Sequence, residues 1–211
     1  MRLRAVAPRE ALDFGDRPDP RLGIFETIRV KRGQPIAVEV HRERLRASAR
    51  ELYGLDVNIG LQRCSEAEGD RRVRVTLTPD GVTTTESGPL GPDPVYAGIA
   101  PFVLPGGLGR HKWLDRRLPD GITAAAAGWL PLLVDTDGSV LEATWANVLI
   151  EERGRLVSPP TDGRALPGIG RRQFRYSEEP VDLDRLLAAD AVMLTSALRV
   201  VRVPHQQSLV S

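Results

Sequence analysis

The chain has 211 residues, 41% of them hydrophobic, which is enough to bury a core as one large domain or two small ones. Its 29 basic and 28 acidic residues are interspersed and leave a net charge of +1. That balance predicts a mixed-charge solvated surface and excludes a polyanion such as nucleic acid as the expected partner.

The one cysteine, Cys64, rules out an internal disulfide framework and fits a reducing compartment. It stands among polar residues and reads as an ordinary thiol. The N-terminus lacks the long apolar core of a signal peptide. The longest apolar run, Ile122 to Val134, is too short for a membrane span and is broken by Gly128 and Pro131. The expectation is a cytoplasmic protein with no membrane partner.

In chain order, residues 1–22 are Pro- and Asp-rich and predict an irregular entry segment. Ile24 to Val30 and Ile36 to Val40 alternate around Lys31–Gln34, which predicts a β-hairpin. His41 to Tyr53 carries Leu45, Ala49 and Leu52 at helical spacing and ends at Gly54. A short helix is expected over Ile59–Glu66. Arg72 to Thr78 and Val82 to Glu86 predict paired strands about the turn Pro79-Asp80-Gly81. Gly88 to Pro94 reads as a linker, which divides the chain into a small domain over 1–90 and a second over 91–211.

Beyond the linker, Ala97 to Leu104 predicts a strand and Pro105–Gly109 a loop leading to Lys112. Trp129 to Val134 and Val140 to Ile150 predict a strand–turn–strand unit, extended by Arg155 to Val157. A helix opening is expected within Pro167–Tyr176, a helix over Leu183–Ala189, and strands over Ala191–Leu194 and Val200–Val203. The class is α+β with sheets dominant, mostly antiparallel or mixed, with flanking helices.

Five segments carry candidate chemistry. The chain has only two lysines, Lys31 and Lys112, against many arginines. A lysine kept beside a Gly-rich loop suggests work a guanidinium cannot do, such as forming a Schiff base. A solvated surface lysine is the plain alternative. Glu142 falls among apolar residues, an unusual place for an unpaired carboxylate. It could equally face outward from a strand. Arg44 lies three residues after His41 on the predicted helix and could clamp a phosphate, or stand as one of several solvated arginines. Gly168-Ile169-Gly170 could offer backbone N–H groups to a phosphate, or simply start a helix after Pro167. Thr195-Ser196-Ala197 follows a predicted strand and offers hydroxyls.

The order of five motifs is more specific than any of them. Gly23-Ile24-Phe25-Glu26-Thr27, His41-x-x-Arg44-Leu45, His111-Lys112-Trp113-x-Asp115-Arg116, Glu142-x-x-x-x-Asn147 and Leu166-Pro167-Gly168-Ile169-Gly170-Arg171 succeed one another. Together they resemble the class IV (fold type IV) pyridoxal-phosphate enzymes, from about Gly23 to about Pro204. The family comprises branched-chain aminotransferase, D-amino-acid aminotransferase and aminodeoxychorismate lyase.

The resemblance implies a two-domain fold with pyridoxal 5'-phosphate as cofactor and a homodimer as the working state. It implies that Lys112 is the Schiff-base lysine and Glu142 the partner of the pyridine nitrogen, with Asn147 supporting it. It places the phosphate at Arg44, at the backbone of Ile169 and Gly170, and at the Ser196 hydroxyl. His41 is implied to be structural. Thr27, Arg29, Arg116 and Ala197 become candidates for binding a small-molecule amine substrate, Arg29 and Arg116 through its carboxylates. No metal is implied.

Within the family, Phe25 stands where the D-amino-acid enzymes use tyrosine, and their strand arginine is replaced by Leu77 or Thr78. Phe25-Glu26-Thr27 and the His-Lys-Trp-x-Asp-Arg form look most like aminodeoxychorismate lyase. The expectation is therefore a lyase of the folate pathway that converts 4-amino-4-deoxychorismate to 4-aminobenzoate and pyruvate. The alternatives are a small amino-acid transaminase of branched-chain or D-amino-acid type, or a non-catalytic homologue. Two departures are visible: Gly170 where relatives have threonine, and a short segment after Arg171 and after Pro204.

Overall fold

A computed structural model describes residues 3–57 and 70–203 of the chain. The helix expected over Ile59–Glu66, and Cys64, lie outside the described residues. The chain divides into two compact units: Pro18–Pro92 with His111–Arg116, and Met1–Arg17 with Asp93–Arg110 and Arg117–Ser211. This differs from the expected 1–90 and 91–211 at two places. The first residues of the chain fold with the C-terminal part, and the Lys112 segment folds with the N-terminal part.

The first unit is a four-stranded sheet, ordered β3-β2-β4-β5, covered on one face by α1. Strands β2 (Ile24–Lys31) and β4 (Arg71–Leu77) pair antiparallel, Phe25 opposite Thr76 and Thr27 opposite Arg74. Ile24, Ile28 and Val30 of β2 and Val73, Val75 and Leu77 of β4 form the core with Leu45 and Ala49 of α1. Side chains on a strand alternate between faces, so Phe25, Thr27, Arg29, Arg72 and Arg74 share the other face. Strand β5 (Thr83–Pro89) reaches three residues further than expected.

Helix α1 (Val38–Tyr53) starts three residues before the expected His41, and β3 is only Gln34–Pro35. The alternation in Ile36–Val40 favours a strand locally, yet Val38 packs against the unit's core as a helical residue. Tertiary burial outweighs β-propensity there. Gly54 closes the helix in the left-handed conformation, φ 65°, its N–H reaching back to Arg50 O at 3.1 Å.

The second unit holds two sheets. One is ordered β1-β6-β7-β8, from Arg9–Glu10, Ile99–Val103, Leu130–Val134 and Val140–Ala143. Strands β6 and β7 run parallel, and α2 (Arg117–Ala125) lies between them in sequence. This helix is absent from the sequence-based expectation, because Pro119 and Gly121 read as breakers. Pro119 sits in the first turn, where no N–H is needed. Gly121 is there because a Cβ would meet Phe14 O at 2.3 Å.

The other sheet is ordered β11-β10-β9-β12-β13. It contains β9 (Asn147–Glu152), β10 (Arg155–Ser158), β11 (Ser177–Glu178), β12 (Ala191–Thr195) and β13 (Val200–Val203). Val140–Ile150 is thus not one strand. It is β8 in one sheet, a turn over 144–146, and β9 in the other. Helix α3 (Leu183–Ala188) is capped by Asp182, whose carboxylate accepts from Arg185 N at 2.7 Å. Leu130, Leu132, Val148, Ile150, Val192 and Leu194 join the two sheets in a continuous core. Among the described residues no helix is long and apolar enough to cross a membrane. The architecture is α+β with mixed sheets and few helices.

Candidate active site

In the first unit, Lys112 lies on an extended segment beside the start of β2. Phe25 N donates to Lys112 O at 2.9 Å, and Leu114 N donates to Gly23 O at 3.0 Å. The segment's alternation separates its side chains. His111 turns toward α1, its Nδ1 3.0 Å from Ser48 Oγ and its Nε2 3.5 Å from Glu51. Trp113 packs with the unit's core. Lys112 takes the opposite side, with Nζ 4.6 Å from the centre of the Phe25 ring. The anchor for the lysine is therefore its two neighbours, His111 and Trp113. Asp115 is buried and accepts from Asp19 N at 2.9 Å, tying down the end of the segment.

Glu26 has no role in the sequence-based expectation, although its motif was noted. It occupies an inward position of β2 with 1% exposure. Its carboxylate accepts from Arg44 Nε at 2.6 Å and Arg44 Nη2 at 2.7 Å, and His41 Nδ1 lies 2.7 Å away. Burial alone would raise this carboxyl. The Arg44 guanidinium and the hydrogen bonds from His41 and Arg44 outweigh it and bring the pKa from 4.5 down to about 2. So Arg44, expected at a phosphate, is held in orientation by a buried carboxylate. A charged residue at an inward position of an otherwise apolar strand face was the available signal.

Of the other residues expected in this unit, Thr27 is buried on the Phe25 face of β2. Arg29 pairs with Asp70 at 3.0 Å. Arg116 is half-buried at the end of the Lys112 segment.

In the second unit, the turn after β8 brings Asn147 back to Glu142. Ala143 N donates to Ala146 O at 2.8 Å across that turn. Glu142 is buried, with Asn147 Nδ2 at 3.4 Å from Oε2 and Leu166 N at 3.3 Å from Oε1. Asn147 Nδ2 also donates to Leu166 O at 2.9 Å. The Glu-x-x-x-x-Asn spacing is thus the span of one tight turn between two sheets.

The glycines of Gly168-Ile169-Gly170 serve close packing. A Cβ at Gly168 would lie 1.4 Å from Asn147 Oδ1, and one at Gly170 would lie 2.2 Å from Ser196 O. A short 3₁₀ turn, Gly170–Gln173, follows in place of an α-helix. Ser196 Oγ accepts from Leu198 N and Arg199 N at 3.3 Å each, so this hydroxyl shapes the turn that also carries Ala197. The neighbouring Thr195 is 1% exposed, stands opposite Asn147 across β9–β12, and its Oγ1 has no hydrogen-bond partner. A buried orphan hydroxyl is costly, and sequence reasoning favoured Ser196 over it.

The Gly-rich loop ahead of Lys112 is also a packing device. Gly107 has φ 63°, and a Cβ there would lie 2.1 Å from Arg164 O. Arg164 pairs with Asp135 at 3.0 Å, and Asp135 accepts from Gly106 N at 3.0 Å. Among the described residues no group of three or more His, Cys, Asp or Glu is placed to hold a metal ion.

Known proteins resemble this chain in part of its sequence and in its fold. Residues 123–204 match the family model of amino-transferase class IV. Among solved structures, a Mesorhizobium loti protein provisionally named an amino-acid aminotransferase superposes with TM-score 0.72. It is 26% identical over 86% of this chain and 98% of its own. A Legionella pneumophila protein provisionally named 4-amino-4-deoxychorismate lyase gives TM-score 0.69 and 22% identity over 94% of this chain and 90% of its own. The pyridoxal-phosphate-bound form of a hypothetical aminotransferase from Mycobacterium tuberculosis gives TM-score 0.70 and 21% identity, over 86% of this chain and 80% of its own. No curated protein sequence matches the chain. The resemblance to class IV aminotransferases read from the sequence is met, and the fold is that of the fold type IV transaminases.

Proposed function

We propose that this chain is a pyridoxal-phosphate enzyme of the class IV aminotransferase family that acts as an aminodeoxychorismate lyase. The observation that carries the reading is the buried Glu142 carboxylate, held by Asn147 and Leu166 at the corner between two sheets. A carboxylate so fixed suits a protonated ring nitrogen. The residues present fit the cofactor in a second respect. The buried Thr195 hydroxyl, opposite Asn147 across β9–β12, has no hydrogen-bond partner, and a bound polar group would satisfy it.

In this reading Glu142, supported by Asn147, would hold the ring nitrogen of the cofactor. Arg44, oriented by Glu26 in the first unit, would hold phosphate, as would Ile169, Gly170 and Ser196 in the second. When bound, pyridoxal phosphate supplies an electron sink for the pair released at the substrate carbon that bears the amine. Lys112 Nζ would hold the cofactor and, once displaced from it by the substrate amine, would take the proton from that ring carbon. The C–O bond to the enolpyruvyl group breaks, the ring becomes aromatic, and the proton is returned to the departing enol as the methyl of pyruvate. Thr27, Arg29, Arg116 and Ala197 complete the substrate's surroundings. The lyase reading is supported by Phe25-Glu26-Thr27 and by the name of the Legionella neighbour. The reading includes a homodimer, testable by light scattering.

A small transaminase is the second reading, supported by the family model and by the Mesorhizobium and Mycobacterium neighbours. The deciding experiment loads the purified protein with pyridoxal phosphate and adds 4-amino-4-deoxychorismate. Equal release of 4-aminobenzoate and pyruvate, abolished in Lys112→Ala, is the expected result. Retained cofactor without product, together with amine transfer from an amino-acid donor, would replace the lyase by the transaminase.

A further inference from the structure

We propose that Thr195 supplies a hydroxyl donor to the phosphate of the bound cofactor. The proposal rests on the pyridoxal-phosphate reading above and adds to it a residue that motif order does not mark.

Thr195 ends β12 and stands directly opposite Asn147 of β9. Directly opposed residues of an antiparallel pair project to the same face of the sheet. The core between the two sheets takes Val148 and Ile150 of β9 and Val192 and Leu194 of β12. By alternation, Asn147 and Thr195 project to the other face. On that side Asn147 Nδ2 meets Glu142 and the carbonyl oxygen of Leu166. The next residue, Ser196, passes over Gly170, where a Cβ would stand 2.8 Å from Ser196 N. Thr195 thus adjoins the Glu142 corner across the sheet and the Gly170 turn along the chain.

Its hydroxyl is unmatched by the fold. The residue is 1% exposed, and Oγ1 has no hydrogen-bond partner. The other buried side-chain atoms in that state among the described residues are arginine Nε atoms, whose guanidinium groups keep two further nitrogens. A threonine has one polar side-chain atom. The buried Thr144 hydroxyl, by contrast, meets Thr123 Oγ1 at 2.9 Å, and the Ser196 hydroxyl accepts from Leu198 N and Arg199 N. The rest of β12 is apolar, Ala191-Val192-Met193-Leu194. Valine has nearly the shape of threonine and would complete that strand without an unsatisfied group. A hydroxyl kept there at a cost is accounted for by a ligand that accepts from it. In the cofactor reading the ring nitrogen is matched to Glu142. The phosphate, with several acceptor oxygens, is the group that gains from an O–H donor, in a charge-assisted hydrogen bond.

The test compares the wild type with Thr195→Val and Thr195→Ser. Calorimetry measures binding of pyridoxal phosphate, of pyridoxal, which lacks the phosphate, and of inorganic phosphate. Thermal melting is followed on the cofactor-free proteins. Thr195→Val should weaken pyridoxal phosphate by about tenfold or more, the scale of a lost hydrogen bond to a charged group, and leave pyridoxal unchanged. Thr195→Ser keeps the hydroxyl and should restore most of the affinity. Cofactor-free Thr195→Val should melt at or above the wild-type temperature, because a costly buried hydroxyl is gone. A purely structural role predicts the opposite. Unchanged affinity for pyridoxal phosphate, equal weakening of pyridoxal, or a lower melting point up to failure to fold would each overturn the proposal. If the wild type takes up no pyridoxal phosphate but binds inorganic phosphate with the same dependence on Thr195, the cofactor reading fails and the phosphate contact stands. If it binds neither, both fail.

Discussion

The backbone of Ser196 lies so close over Gly170 that a Cβ there would stand 2.2 Å from its carbonyl oxygen. The glycine that departs from the threonine expected at this position is therefore matched to the path of the 195–199 turn. Gly170→Thr should destabilise the chain by about 3 kcal/mol, the upper range for overpacking a buried site. Urea unfolding followed by tryptophan fluorescence measures it. An unchanged midpoint would show that the turn gives way freely.

Gly168 and Asn147 form a second matched pair, because a Cβ on one would collide with the amide oxygen of the other. Gly168→Ala should cost roughly 2 kcal/mol. Asn147→Ala should cost a similar amount by leaving the buried Glu142 short of a donor. Residues in contact do not add, so the double variant should be more stable than the sum of the two by about 1 kcal/mol or more. Strict additivity in a double-mutant cycle would contradict the contact.

Glu26 makes stability depend on pH in a defined window. Its carboxyl is held at about 2 when folded, below the ordinary 4.5. A depressed carboxyl contributes fully above its unfolded value and loses that contribution as pH falls toward the folded one. The loss should run from about pH 4.5 to about pH 2 and amount to roughly 3 kcal/mol. Glu26→Gln should be less stable near neutrality, since the half-buried Arg44 loses its two charged hydrogen bonds to this carboxylate, and should show a flatter acid limb. Parallel acid limbs in the two proteins would assign the effect elsewhere.

Glu142→Gln keeps an acceptor for Leu166 N but removes the negative charge. If Glu142 supports a protonated ring nitrogen, product release should slow by about a hundredfold. Thermal stability should fall modestly, because the new amide NH2 faces Asn147 Nδ2, itself a donor. A rate within threefold of the wild type would remove Glu142 from the chemistry.

Much of this architecture could be read from residue order. β2, β4, β12 and β13 carry clear alternation, and the Leu45–Ala49 stripe with Gly54 marks α1. Three things were hidden for physical reasons. Helix α2 was masked by Pro119 and Gly121, whose positions are set by the first turn and by Phe14 O, neither of which a linear pattern reveals. The break between β8 and β9 was hidden because apolar residues continue through Thr144–Ala146 while the chain passes from one sheet to the next. Glu26 was hidden because its importance lies in strand-to-helix partners far apart in sequence. Motif order singles out Lys112, Glu142 and Asn147 as candidates; the structure adds the contact between Asn147 Nδ2 and Glu142.

The turn over 144–146 has a consequence for how this protein can change over evolutionary time. Glu142 is paired one residue before the end of the register of one sheet and Asn147 begins the register of the other, and each strand has a side-chain period of two. Adding or removing one residue in β8, β9 or the turn between them would swing one partner to the wrong face and part the pair. The hairpin turn at Arg153-Gly154, with both residues at positive φ, carries no such obligation and can lengthen without disturbing the corner. Length variation in descendants of this chain is thus expected at the hairpin tip, while the five-residue interval from Glu142 to Asn147 acts as a fixed gauge.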